Sequence, residues 1–364
     1  MAQGKTEQLR HNAEIAFREE LDQLKKIDKD NYKPKGWELS PRAVVDYVMG
    51  RKDDDIEVSA KYIGDRRKIE VAVATLASNR ALLLVGVPGT AKTWLAEHLT
   101  AAISGDSKHI VQGTSGMYEE ALRYSWNYAE LLAKGPSESA LVPSPVLTAM
   151  QEGKIARIEE LTRIPSDVQD SLIMILSEKI LPVPELNMSI PAIEGFNVIA
   201  TANEKDRGVH ELSSALQRRF NMVHMPLPDT HEEEVEIVHS RLASLTELPP
   251  KHEKDIIEQI KKLVQVFREL RSGITSDKEI RFQAPGSTLS SAEAISVMQS
   301  ALALSQNFSK GKLGPRDISS ALAGTIVKNT DQDRKAWNEY LELVMKKRKN
   351  WKDWYEACRQ DLEL

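Results

Sequence analysis

Between Ala81 and Met225, short apolar runs alternate with stretches in which apolar residues recur every third or fourth position. Continuous apolar runs bounded by turn residues read as buried strands, and the three-to-four spacing reads as helices. The strands predicted in this way are 81–85, 109–112, 154–158, 196–200 and 222–225, with helices such as 92–103 and 166–177 between them. That alternation is the sequence form of an α/β domain with a parallel sheet. Past about residue 228 the strand signal stops, and 232–245, 252–272, 290–305 and 315–327 predict an all-α region. At the other end, 6–28 places Leu9, Ala13, Phe17, Leu21 and Leu24 on one face of an amphipathic helix. Ser40 and Pro41 then form an N-cap and first-turn pair, with Gly50 as the stop. The expected divisions are a helical N-terminal extension at 1–60, an α/β domain at 61–228, an all-α lid at 229–330 and a C-terminal helix at 331–364.

Composition narrows the partners more than the fold. The 364 residues carry 49 basic and 54 acidic side chains, a net charge of −5, which argues against a nucleic acid as the main partner. One cysteine, Cys358, excludes an intramolecular disulfide. The opening MAQGKTEQLRHN has no apolar stretch of the kind a secretory signal needs, so a reducing cytoplasm is expected. The longest apolar runs, at 81–87 and 171–176, are too short to span a bilayer.

The segment Gly86-Val87-Pro88-Gly89-Thr90-Ala91-Lys92-Thr93 follows the strand-like run ALLLV and opens an apolar-periodic helix. That context is the test for a phosphate-binding loop, in which backbone N–H groups and a helix N-terminus face the phosphates. Lys92 would reach the β and γ oxygens, and the Thr93 hydroxyl would ligate magnesium. Ala91 stands where the pattern has a second glycine, and a small residue there keeps the backbone close to the ligand.

Further along, the predicted strand through Ile158 runs into Glu159-Glu160. A carboxylate pair at such a strand end suits magnesium binding by Glu159 and activation of water by Glu160. Glu in place of Asp at 159 and the cation Arg157 inside the run both depart from the usual pattern, and a solvated charged turn is the competing reading. The strand at 196–200 ends in Thr201-Ala202-Asn203, which puts an amide at a carboxyl edge, where ligands of parallel sheets sit. Asn203 would orient the lytic water with Glu160; the plain alternative is a turn-forming Asn. Finally, Arg218 and Arg219 follow a helix expected at 209–216. Either could stabilise charge on the γ-phosphate of a neighbouring subunit, Arg219 being favoured; both also suit a helix C-terminus.

These motifs in this order resemble the AAA+ ATPases. The text GKIARIEELTRIPSDVQDSLIMILSEK and GFNVIATANEKDRGVHELSSALQRRFN is similar to the MoxR-like branch and its YehL-type subgroup. The resemblance implies a Mg-dependent ATP hydrolase with an α/β P-loop core and an α-helical lid. It also implies a homo-oligomeric ring, commonly a hexamer, that remodels or matures a client with a von Willebrand factor A domain partner. Tyr62, Ile63 and Gly64 would lie near adenine, 181–193 would form a hairpin before the first sensor, and 124–144 would be an insertion in the second helix. The family's second-sensor arginine is missing from Ser287-Thr288-Leu289, and Arg316 is an offered substitute. A DNA-directed motor of the same clade and an ATP-binding assembly switch with little turnover are the rival functions.

From Asp331 the chain predicts one long charged helix bearing Trp337, Tyr340, Trp351, Trp354 and Tyr355 around the basic run Lys346-Lys347-Arg348-Lys349. Such aromatics either dock a partner or pack the helix onto the lid.

Overall fold

The computed structural model describes residues 9–54, 56–204, 210–246, 252–286, 289–309, 311–328 and 330–362. Two compact units result: the described parts of Met1–Gly86 with Ala91–Met225, and of Val87–Thr90 with Pro226–Leu364.

The apolar runs of the first unit become five parallel strands: β1 (Ala81–Gly86), β2 (Ile110–Gln112), β3 (Ile155–Glu159), β4 (Asn197–Asn203) and β5 (Phe220–His224). Their order across the sheet is β5-β1-β4-β3-β2. Alternate residues of a strand face opposite sides, so a sheet covered on both faces needs apolar residues throughout. Accordingly Leu82, Leu84, Ile155 and Ile199 pack with Leu95, Leu99 and Ile103 of the helix Lys92–Ser104. Leu83, Ala156, Ile158 and Val198 pack on the other face with Val146, Leu147 and Met150 of the helix Pro145–Glu152.

The N-terminal stripe departs from its helical prediction. It forms two helices, Ala13–Ala16 and Arg18–Ile27, separated at Phe17, whose φ of −117° and ψ of 29° leave the helical region. The break lets the Phe17 ring lie edge-on to Trp94 and His98, with centroids 6.3 and 5.1 Å apart. Leu9 precedes these helices and is fully exposed, and residues 6–8 lie outside the described residues. The helix Pro41–Met49 begins as expected, with Ser40 Oγ accepting from the Ala43 N–H at 3.3 Å. The helix expected at 166–177 divides at Ser171, where the N–H and hydroxyl both turn back to the Val168 carbonyl, at 3.2 and 2.7 Å.

Both insertions take the form of antiparallel pairs. Ile180–Val183 pairs with Met188–Pro191, and Tyr124–Trp126 pairs with Leu141–Pro143 around the helix Tyr128–Lys134.

The second unit is helical: His231–Leu245, Glu253–Ser272, Ser291–Phe308, Pro315–Ile326, Thr330–Leu343 and Lys352–Leu362. The tail is therefore two helices, broken after Leu343 and turned at Asn350, whose φ is 67°. Asparagine tolerates this left-handed conformation better than most side chains. The turn buries Trp337, Tyr340, Trp351 and Trp354 in the core of their own unit, so these rings serve packing and form no exposed docking strip. Beneath them the Glu269 carboxylate accepts from Arg348 Nη2 at 2.6 Å and from the Tyr340 hydroxyl at 2.7 Å. Among the described residues, no helix is long and apolar enough to cross a membrane.

Candidate functional site

The carboxyl ends of β1, β4 and β3 lie side by side, with Asn203 opposite Gly86 in register and Ala200 opposite Ile158. Parallel pairing thus brings together side chains that are far apart in sequence. At the end of β1, Gly89 has φ 80° and Ala91 has φ 61°, and the helix starts at Lys92. The residue that replaces glycine at 91 therefore adopts a left-handed conformation, which costs an L-residue about 1–2 kcal/mol. Small size alone does not describe what this position demands.

Lys92 is buried, and its ammonium donates to the Gly86 carbonyl at 3.0 Å. Burial pushes its pKa down, while the carboxylates of Glu160, Glu204 and Glu159 act against that shift. The cation is thus poorly hydrated and held among acids.

Glu159 is 2% exposed and ends β3. Its Oε2 accepts from the Thr93 hydroxyl and from the Thr201 hydroxyl, each at 2.7 Å. The competing reading of 159–160 as a solvated turn is excluded for Glu159 by this burial. Glu160 follows with φ 56° and ψ 46°, and this left-handed residue ends the strand and turns the chain. Its carboxylate accepts from Asn203 Nδ2, which lies 2.8 Å from each oxygen. Asn203 is itself the last residue of β4 and buried, so it is not the free turn former of the plain alternative.

Two residues of the site were not assigned roles from the sequence. Thr201 donates to Glu159 and accepts from the Glu160 N–H at 3.1 Å, so one hydroxyl joins both carboxylate residues. Its position two residues before Asn203, on the same face of the strand, was the available signal. Gly113 donates its N–H to the Glu159 carbonyl at 2.7 Å, and a Cβ there would overlap the Glu160 carbonyl oxygen. No local pattern announces that requirement, because the colliding strand is remote in sequence.

Residues 81–220 match the AAA domain of the dynein-related subfamily, and residues 232–362 match the YehL-like AAA+ ATPase C-terminal domain. Over 355 residues the chain is 39% identical to the uncharacterized protein YehL of Escherichia coli (strain K12), covering 95% of each chain. The chain belongs to the YehL-like AAA+ ATPases. A second relative, an uncharacterized protein of Staphylococcus aureus (strain USA300), is 32% identical over 152 residues, 42% of this chain and 57% of that protein. Among solved structures, the chain is similar to the RuvB Holliday junction branch migration motor of Thermotoga maritima. That likeness is 17% in sequence, covers 77% of each chain and has a TM-score of 0.42.

The remaining expected residues of this YehL-like ATPase are placed as follows. Tyr62 and Lys61 both donate their N–H groups to the Val48 carbonyl, and the Lys61 carbonyl accepts from Trp94 Nε1 at 2.9 Å. The segment Tyr62-Ile63-Gly64 is thereby tied to the helix that carries Lys92 and Thr93. Arg219 donates to Ser177 Oγ and to the Ala215 carbonyl, whereas the Arg218 side chain is exposed. The helix before them is Ser214–Gln217, and residue 209, its expected start, lies outside the described residues. Leu289 is buried at φ 42°, and its carbonyl accepts from Arg271 Nη1 at 2.9 Å. Ser287 and Thr288 lie outside the described residues. Arg316 is exposed on the first turn of Pro315–Ile326.

Proposed function

We propose that this YehL-like ATPase hydrolyses Mg-ATP at the joined ends of β1, β3 and β4. The observation that carries the reading is the Asn203 amide on both oxygens of Glu160, beside a Glu159 carboxylate already paired with Thr93. The donor set, a hydroxyl and a buried carboxylate 2.7 Å apart, fits a hard divalent cation. Thr93 and Glu159 would hold that ion, and Gly86 to Thr93 would hold the phosphates. Bound there, magnesium would supply positive charge to offset that of the transferring phosphoryl group. Glu160 acts as the base that polarises water, and Asn203 holds its carboxylate in position. Tyr62, Ile63 and Gly64 would lie near the adenine of the nucleotide.

On the same reading the enzyme works as a ring, commonly a hexamer, with Arg218 or Arg219 supplied to the neighbouring subunit's γ-phosphate. Arg218 is the more available, because Arg219 is held within its own chain. The ring remodels a client protein in a reducing cytoplasm, together with a von Willebrand factor A domain partner. Family membership supports this reading, and the acidic balance of the chain disfavours nucleic acid as the alternative partner.

The test is Glu160→Gln. Turnover, followed by phosphate release, should fall by at least about 10²-fold while binding of a fluorescent ATP analogue is retained. Unchanged turnover would remove Glu160 from its role. The same variant, purified with ATP, should retain the client and its partner for identification.

A further inference from the structure

Arg157 sits in the middle of β3, two residues before Glu159, and is 5% exposed. A cation inside a buried strand is costly unless an opposite charge faces it. Two carboxylates do. Arg157 Nε lies 3.8 Å from Glu159 Oε1, and Arg157 Nη1 lies 3.8 Å from Glu97 Oε2, on the helix Lys92–Ser104. Residues two apart on a strand share a face, which is why Arg157 and Glu159 meet.

The hydrogen bonds show which carboxylate depends on the arginine. Glu97 has other partners: Oε1 accepts from the Ala13 N–H at 3.1 Å and Oε2 from Arg10 Nη2 at 2.5 Å. Glu159 Oε2 is taken by Thr93 and Thr201. Its Oε1, together with Arg157 Nε and Nη1, has no hydrogen-bond partner among the described residues. The unsatisfied oxygen of the magnesium carboxylate therefore faces an unsatisfied guanidinium edge in a buried space.

We propose that Arg157 is a positioning residue for magnesium binding, its guanidinium holding Oε1 of Glu159 so that Oε2 stays with the Thr93 and Thr201 hydroxyls. Glu at 159 has one more rotatable bond than the usual Asp, and the cation behind it restrains that freedom. The two departures from the common acidic motif thus compensate each other: a longer carboxylate at 159 and a cation at 157. Partners that orient a metal ligand in this way are worth about 10–100-fold in metal affinity. The inference rests on the Mg-ATP reading above.

The experiment compares the affinity of the full-length protein for a fluorescent ADP analogue in excess magnesium and in EDTA. Wild type should bind more tightly with magnesium. Arg157→Met, which keeps the apolar stem, should lower that magnesium-dependent gain about tenfold and leave the affinity in EDTA unchanged. Arg157→Lys should fall between the two, since an ammonium keeps the charge and loses the planar fork. Glu97→Gln should keep the gain, because it leaves the guanidinium to Glu159. A folded Arg157→Met with the wild-type gain, whatever its thermal stability, overturns the proposal. Loss of the gain in Glu97→Gln overturns it as well. Should Arg157→Met not fold, a wild-type gain in Arg157→Lys overturns it. Absence of any gain in the wild type overturns the Mg-ATP reading itself and this inference with it.

Discussion

Asn203 Nδ2 lies 2.8 Å from Oε1 and 2.8 Å from Oε2 of Glu160, so a single amide spans the whole carboxylate. On the proposed reading, the contact holds the Glu160 carboxylate in the orientation from which it would polarise water. Asn203→Ala should therefore change the chemical step more than binding. The expected result is a fall in kcat of roughly 10²-fold with nucleotide affinity within about threefold of wild type. Phosphate release and an equilibrium titration measure the two quantities, and equal kcat values would remove Asn203 from the mechanism.

Thr201 joins the two acidic residues through one hydroxyl. Thr201→Val preserves shape and leaves the Glu160 N–H without its partner, a loss of about 1–3 kcal/mol. Chemical denaturation should show that loss, together with reduced turnover. A variant as stable and active as wild type would mean that the hydroxyl is dispensable.

Gly113 has no room for a side chain. A Cβ would lie 2.9 Å from the Glu159 carbonyl oxygen and closer still to that of Glu160. Gly113→Ala must push β2 away from the end of β3 and displace Glu160. Hydrolysis should drop at least tenfold, an order-of-magnitude expectation for a displaced catalytic group. Phosphate release beside a circular dichroism spectrum of native shape would separate that effect from unfolding.

The pair Glu269–Arg348 predicts acid sensitivity in the second unit. Burial works to raise the Glu269 pKa, but hydrogen bonds from Arg348, Ser276 and Tyr340 outweigh it and hold the carboxyl below its ordinary range. A group whose folded pKa is depressed stabilises the fold fully above its unfolded value, and the contribution is lost as pH falls through the folded value. Arg348→Met should therefore cost about 3 kcal/mol near neutrality and raise the pH of acid unfolding. Denaturant melts across pH check both; an unchanged acid midpoint would contradict the assignment.

Cys358 is 2% exposed, and burial with the nearby Asp361 carboxylate raises its thiol to about 12. Thiolate is the reactive form, so native protein should resist a thiol-specific reagent and react fully once unfolded. Rapid labelling under native conditions would show that Cys358 is reachable.

The acidic pair and the tail mark how far local pattern reaches. Backbone hydrogen bonding and side-chain alternation act over a few residues, so the parallel strands, the glycine-bearing loop before Lys92 and the carboxyl-edge positions of Glu159 and Asn203 were legible in the chain. Phe17 was not: its period suited an unbroken helix, and the ring left it to meet Trp94 and His98. The tail aromatics likewise fitted exposure or burial equally well until Asn350 turned them into a core.

Sequence by itself therefore determined the α/β order, the all-α region after it and the residue types of the site. Tertiary structure decided that Thr201 bridges Glu159 to Glu160, that Gly113 must lack a side chain and that Arg157 remains buried within β3. The physical reason is range: those three depend on strands and helices far apart in sequence, whose register exists only once the sheet has formed.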